Sequence, residues 1–292
     1  MSEKSTKPPQ NPQKPQTDPP KARKLLEQVS DAIRIKHYSQ RTEQTYIDWI
    51  RRYILFHNKR HPKDMGVPEI QAFITHLATQ RHLSASSQNQ ALSAILFLYR
   101  HVLNKEINFP SDIIRAGKSK NLPTVLTQQE AMTVINKMTG LPQLMTKILY
   151  GSGLRLMECL RLRVKDIDFG NHTLIVRDGK GENDRATILP ESLIPALQAQ
   201  IKTVALIHQQ DLKRGCGEVY LPYALAKKYP NASKEDMWQY LFPSLSLSTD
   251  PVSKKTMRHH MDESILQKAV RRAALLAKID KPISPHTFRH SF

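Results

Sequence analysis

The sequence predicts a mainly α, α+β protein of two domains: a helical bundle over 22–106, then a mixed domain of helices with one small β element over 121–292. Three observations predict it. Apolar residues recur at helical spacing through 22–106. Proline and glycine break the pattern around the basic run RAGKSKN, which marks 107–122 as a linker. Beyond the linker, the one convincing strand signal is a hairpin set among helical text.

In chain order, 1–21 is a Pro, Gln and Lys tract with almost nothing to bury, read as a disordered basic arm. Leu25, Leu26, Val29 and Ile33 form a first apolar stripe. Ser39 is a plausible N-cap for a second helix carrying Tyr46, Ile50, Tyr53, Ile54 and His57. Pro68 suits a first helical turn ahead of Ile70, Phe73, Ile74 and Leu77. Serines 84, 86 and 87 precede the fourth stripe, Leu92, Ile95, Leu96, Tyr99 and Leu103. Four short helices with polar joints make a small bundle. Its outer faces carry Arg34, Lys36, Arg41, Arg51, Arg52, Lys59, Arg60 and Arg81.

The second domain opens on Thr127-x-x-Glu130, a capping box that satisfies two orphan N–H groups. Another helix is expected through Leu144, Ile148 and Leu149 to the turn Gly151-Ser152-Gly153. TLIVR at 173–177 and RATIL at 185–189, joined by DGKGEND, predict a β-hairpin. Helical text returns at 191–209 and 263–277.

Lys and Arg total 44 against 26 acids, a formal charge of +18 with a sequence pI near 9.9. An excess of this size points to a polyanionic partner, since neutralising phosphates releases condensed counterions; a generally basic surface is the plainer alternative. Cys159 and Cys216 form no C-x-x-C pair and no disulfide framework, which fits a reducing, cytoplasmic setting. No apolar stretch approaches the ~18 residues of a membrane span, and the N-terminus lacks the apolar core of a secretory signal.

Three segments carry chemistry. GSGLRLMECLRLRVKDID places Arg155 just after a glycine turn at the start of a helix. Gly179-Lys180-Gly181 sits in the hairpin turn, where two glycines let backbone and lysine approach a ligand. In SPHTFRHSF, Ser284 is a natural N-cap with Pro285 at the first helical position, so His286 and Arg289 fall at i and i+3 on one face. Two arginines, a lysine and a histidine can surround one phosphodiester: the guanidinium forks clamp its oxygens, while lysine and histidine move protons.

In order and context, Arg155, Lys180 and the His286-x-x-Arg289 pair resemble the catalytic pattern of the tyrosine recombinases. HYSQRTEQTY at 37–46, LPTVLT at 122–127, RVKDIDF at 163–169, SLSTDP at 246–251, RHHMDE at 258–263 and PHTFRHSF at 285–292 narrow the resemblance to the integron integrases. It implies a SAM-like, four-helix core-binding domain followed by a tyrosine-recombinase catalytic domain. It also implies site-specific strand exchange through a 3′-phosphotyrosine, with no metal and no cofactor. Partners would be DNA and further protomers of the same chain.

The segment 220–244, YLPYALAKKYPNASKEDMWQYLFPS, resembles the extra helical insertion that marks that subfamily and helps it grip folded single strands with extrahelical bases. Tyr223, Tyr229, Trp238, Tyr240 and Phe242 offer ring faces for unstacked bases, and Lys227, Lys228 and Lys234 suit phosphate; ordinary anchoring of those rings in the domain is the alternative. Candidate DNA contacts are Arg41, Arg51, Lys227, Lys228, Trp238, His259 and His260.

Two departures stand out. The hairpin reads Glu182-Asn183-Asp184-Arg185 where the family often carries another basic residue. The resemblance also implies a nucleophilic tyrosine a few dozen residues past HTFRHSF, a position that none of the nine tyrosines occupies. The expectation is therefore a C-terminally truncated chain that binds DNA without cleaving it and oligomerises poorly; a non-catalytic DNA-binding or regulatory protein of the same architecture is the alternative. A zinc site on His286 and His290 is disfavoured: no glutamate lies between them, and Arg289 would repel the cation.

Overall fold

The computed structural model describes residues 24–107, 122–177, 184–221, 225–250 and 253–292. The chain divides into two compact units, Met1–Lys120 and Asn121–Phe292.

The first unit contains helices α1 (Leu25–Ile35), α2 (Gln40–Phe56), α3 (Val67–Thr79) and α4 (Ala85–His101). Their starts follow local chemistry. The Ser39 hydroxyl accepts the Thr42 N–H, the Ser84 hydroxyl accepts the Ser87 N–H, and Pro68 lies in the first turn of α3. The expected stripes meet in a core that includes Val29, Ile33, Ile50, Tyr53, Ile70, Phe73, Ile95, Leu98 and Tyr99. Tyr53 and Tyr99 satisfy each other's buried hydroxyls at 3.1 Å.

The second unit is built on α5 (Gln128–Asn136), α6 (Gly140–Ser152), α7 (Leu156–Leu160), α8 (Ile194–Lys213), α9 (Leu225–Lys228), α10 (Glu263–Ala277) and α11 (Pro285–His290). The capping box forms as expected: Thr127 N–H donates to Glu130 at 2.8 Å, and Glu130 N–H to the Thr127 hydroxyl at 3.2 Å. A three-stranded antiparallel sheet runs β1 (Ile167–Asp168), β2 (Thr173–Val176), β3 (Arg185–Ile188), with Val176 opposite Arg185 and Thr173 opposite Ile188. Leu174 and Val176 alternate inward and join the core, whereas Ile188 faces out. A second short ribbon pairs β4 (Ser248–Thr249) with β5 (Thr256–Met257).

The unit's core gathers Ile135, Met145, Ile148, Leu149, Leu160, Leu197, Phe242, Leu266, Val270 and Phe288. Phe288 buries the inner face of α11, which fixes where the outer residues of that short helix point. Among the described residues, no helix is long and apolar enough to cross a membrane.

The 220–244 segment departs from the expected helical insertion. Its described part holds only the single-turn α9 and two 3₁₀ turns, Ala232–Lys234 and Asp236–Trp238. Pro230 disfavours continuing α9 past Lys228, and Leu241 and Phe242 anchor in the unit's core. Tyr240 and Phe242, expected as candidate ring faces, are buried at 6% and 0% exposure and take the anchoring alternative.

Candidate active site

The site begins at a backbone turn. Gly153 adopts φ 62°, a left-handed conformation that ends α6 and that glycine reaches without a Cβ clash. This turn puts Arg155 at the N-cap of α7. The Arg155 N–H donates to Glu158 Oε2 at 2.7 Å, and its Nη1 donates to Glu158 Oε1 at 2.7 Å. From β3, Arg185 places Nη1 and Nη2 on the same carboxylate at 3.0 and 2.6 Å. The Thr187 hydroxyl, two residues on and on the same face, donates to the Ser152 carbonyl at 2.9 Å and pins β3 to the end of α6.

From α11, 136 residues further along the chain than Gly153, the Arg289 Nη1 donates to the Gly153 carbonyl and lies 3.7 Å from Glu158 Oε2. Three guanidiniums thus converge on one nearly buried carboxylate. Burial alone would raise the Glu158 carboxyl, but the hydrogen bonds from Arg185 and Arg155 outweigh it and hold it down at about 2. Burial, then the neighbouring charge of Arg155, lowers Arg289 from the usual guanidinium value, with Glu158 opposing. Three cations against one anion leave the cluster positive. Arg155 and Arg289 remain partly exposed, at 40% and 28% of their side chains, so an anion can reach them.

Of the expected catalytic set, the structure brings Arg155 and Arg289 together. Lys180, with Gly179 and Gly181, lies outside the described residues. His286 is on the exposed face of α11, and no hydrogen bond or ion pair links it to Arg155, Glu158 or Arg289. Arg185 and Glu158 were not singled out from the sequence. The signal was there in the strand alternation, which puts Arg185 and Thr187 on one face of β3.

The remaining candidates are scattered. Arg41 is exposed on α2, and Arg51 is exposed while paired with Asp48 at 3.0 Å. Lys227 and Lys228 are exposed on α9, with the Lys228 ammonium 5.3 Å from the Tyr229 ring. His260 is half-buried, its Nδ1 at 2.9 Å from the Met261 carbonyl and its ring edge-on to Tyr240 at 5.4 Å; burial lowers its pKa. The His259 carbonyl accepts the Ser244 N–H at 2.8 Å.

Trp238 is half-buried against Val219, Leu221, Ala232 and Tyr240. The Lys165 ammonium sits 3.0 Å from its ring centroid. Burial, then Arg177, pushes Lys165 down to about 8. Of the described rings in this segment, Tyr220 and Tyr229 are open to solvent, at 45% and 47% exposure; Tyr223 lies outside the described residues.

Both ends of the segment are held by Arg163, a buried arginine that the sequence reading passed over. Its guanidinium donates to the Tyr220 carbonyl at 2.8 Å and the Trp238 carbonyl at 2.5 Å, and its carbon lies 4.6 Å from the Tyr240 ring centroid. Backbone bonds from Val164 N–H to the Gln239 carbonyl and from Leu241 N–H to the Leu162 carbonyl close the join.

Residues 25–108 match the family model for the phage integrase N-terminal SAM-like domain, and 124–292 match the phage integrase family model. The chain is 44% identical over 269 residues to an integrase/recombinase of Escherichia coli, covering 92% of this chain and 80% of that protein. In fold it resembles the Tn1549 transposon integrase in complex with transposon right end DNA, with a TM-score of 0.60 and 16% identity over 92% of this chain and 84% of that one. It also resembles a lambda integrase tetramer bound to a Holliday junction, with a TM-score of 0.56 and 14% identity over 91% of this chain and 67% of that one. With both units matched and a guanidinium pair converging at the turn between α6 and α7, the chain belongs to the phage integrase family of tyrosine recombinases.

Proposed function

We propose that this chain acts in site-specific DNA strand exchange at integron-type recombination sites, in cassette integration and excision. One observation carries the reading: Arg155 and Arg289, distant in sequence, are seated by Gly153 and Glu158 into one partly exposed, positively charged cluster. A phosphodiester presents two non-bridging oxygens, and paired guanidinium forks suit that geometry better than single point charges do. As the phosphorus passes through a pentacoordinate state its charge grows, and fixed cations stabilise that state more than the starting ester.

In this reading Arg155 and Arg289 hold the scissile phosphate. Lys180 donates a proton to the leaving 5′-oxygen and His286 serves as its acid/base partner. The nucleophile, by the family resemblance a tyrosine hydroxyl at a position that none of the nine tyrosines of this sequence occupies, passes its proton to His286 as its oxygen bonds to phosphorus; the bond to the 5′-oxygen breaks, and the proton from Lys180 completes the departing 5′-hydroxyl. Attack by the 5′-hydroxyl of a partner strand on the phosphotyrosine forms the new phosphodiester, releases the tyrosine and completes the exchange. The phosphotyrosine conserves the ester bond energy, so neither metal nor nucleotide is called for.

The finer substrate reading is a folded single strand with displaced bases. Tyr220 and Tyr229 present open rings, Lys227 and Lys228 are exposed with the Lys228 ammonium 5.3 Å from the Tyr229 ring, and Trp238 is half-buried in the same segment. DNA and further copies of the chain are the proposed partners, with Arg41, Arg51, His259 and His260 as further DNA contacts.

A salt titration of DNA binding tests the site. With ~6–10 phosphates contacted, affinity falls roughly 10³–10⁵-fold between about 50 and 200 mM salt. Arg155→Ala and Arg289→Ala each reduce the slope of log affinity against log salt by about 1. A flat titration, or unchanged slopes in both variants, would overturn the reading.

A further inference from the structure

Arg185 is bound to neither backbone nor solvent alone; both terminal nitrogens of its guanidinium are committed to the two oxygens of Glu158, at 3.0 and 2.6 Å. That carboxylate also carries Arg155 at 2.7 Å and stands 3.7 Å from Arg289. Glu158 therefore has two opposite effects. It aims Arg155 by a short ion pair, and it sets a negative charge beside the two arginines that would take an anion. At 8% side-chain exposure, water does little to screen that charge.

We propose that Arg185 is a positioning residue of the phosphodiester site: from the hairpin it clamps and neutralises Glu158, so that the carboxylate orients Arg155 without repelling the incoming phosphate. The inference rests on the reading of the Arg155–Arg289 cluster as a phosphate site. Three features support it. The contact is a two-pronged fork, the geometry in which a guanidinium matches a carboxylate. β3 is fixed at this point by the bond from Thr187 to the Ser152 carbonyl and by the Arg185–Val176 register, so the clamp is held by the sheet rather than by a free side chain. Arg155, Arg185 and Arg289 less Glu158 leave a net excess of positive charge; without Arg185 the cluster keeps two cations and one anion.

The test is equilibrium binding of the whole chain to a mixed-sequence duplex oligonucleotide at fixed low salt, with the melting temperature of every variant recorded. Arg185→Ala is expected to weaken binding about tenfold, in the range of coupling between neighbouring charges. Adding Glu158→Gln to Arg185→Ala is expected to restore most of that loss, so that the double variant binds more tightly than the single one. A clamp with only a structural role would leave the double variant as weak as the single one or weaker, and that result overturns the inference; so does undiminished binding by Arg185→Ala. Arg185→Gln, alone and combined with Glu158→Gln, gives the same comparison if the alanine variant does not fold. Arg155→Ala and Arg289→Ala in the same titration separate the two readings. If neither weakens binding, the phosphate site itself is refuted; if both do and Glu158→Gln fails to rescue, Arg185 alone is misassigned.

Discussion

Replacing Arg163 with methionine isolates the join between the 220–244 segment and the rest of its unit. Methionine keeps an apolar stem out to about the position of Nε but removes the guanidinium and every donor. The guanidinium bonds the Trp238 carbonyl at 2.5 Å and the Tyr220 carbonyl at 2.8 Å, and it stacks on Tyr240. Hydrogen bonds from a charged group contribute about 1.5–3 kcal/mol each, and a buried carbonyl left unpaired adds its own desolvation cost. The Met stem and entering water recover part of this, so the expected loss is about 3–5 kcal/mol of stability, within the range for a broken buried network. With a urea slope of about 2–3 kcal/mol per molar, the midpoint should fall by roughly 1–2 M. The two tryptophans, Trp49 and Trp238, divide between the two units. In a Trp49→Phe background, emission therefore reports the Arg163 join directly, and trypsin cutting after the exposed Lys227 and Lys228 should accelerate. Arg163→Lys, which retains charge but cannot span two carbonyls, should fall between. A methionine variant with the parent's urea midpoint and the parent's cleavage rate would refute the clip.

Two further outcomes are expected. Trp238→Ala should remove much of the preference for a bulged single strand over a perfect duplex, about tenfold if one ring–base stack is lost, while duplex affinity stays nearly unchanged; equal loss on both DNAs with a lower melting temperature would make the ring a support for its neighbours. Acid should weaken the second unit through Glu158, whose carboxyl is held at about 2 when folded. A depressed carboxyl contributes its full stability above the ordinary value near 4.3 and loses it as pH falls toward about 2. Glu158→Gln should flatten that part of a stability-against-pH curve, and an unchanged acid limb would show the ion pairs to be inconsequential.

The helices were legible because each carries its own start and its own face. Ser39, Ser84 and Thr127 cap as their side chains allow, and the stripes of α1 to α4 became the first unit's core. The hairpin was legible from the alternation of TLIV, and its strands ended one residue short of the expected 177 and 189. Arg155 and Arg289 were legible because each follows a helix-start signal. What stayed hidden depends on long-range pairing. Nothing local marks Arg185 as the partner of Glu158, or Arg163 as the partner of carbonyls near residues 220 and 238. Within 220–244, aromatic and lysine content looked alike for ring faces and for anchors. Burial alone separates Tyr240 and Phe242 from Tyr229, and burial is fixed by the sheet and helices that those residues meet.

Gly153 draws together two sequence-distant stretches of the second unit in a way that bears on how relatives of this chain can be recombined with one another. Its carbonyl seats Arg289, its left-handed backbone aims the chain toward Arg155, and its bare face lies against the Phe292 ring, where a Cβ would meet ring carbon at 2.6 Å. Close by, the Leu126 N–H donates to the Ser291 hydroxyl at 2.8 Å, so the stretch before α5 and the residues after α11 meet at the same corner. A chimera cut between α7 and α11 inherits Arg155 with its Glu158 seat from the first parent and Arg289 from the second. Crossovers that carry 122–160 and 284–292 together keep Gly153, Arg155, Glu158 and Arg289 from one parent, which makes these two short, sequence-distant blocks a single module for exchange.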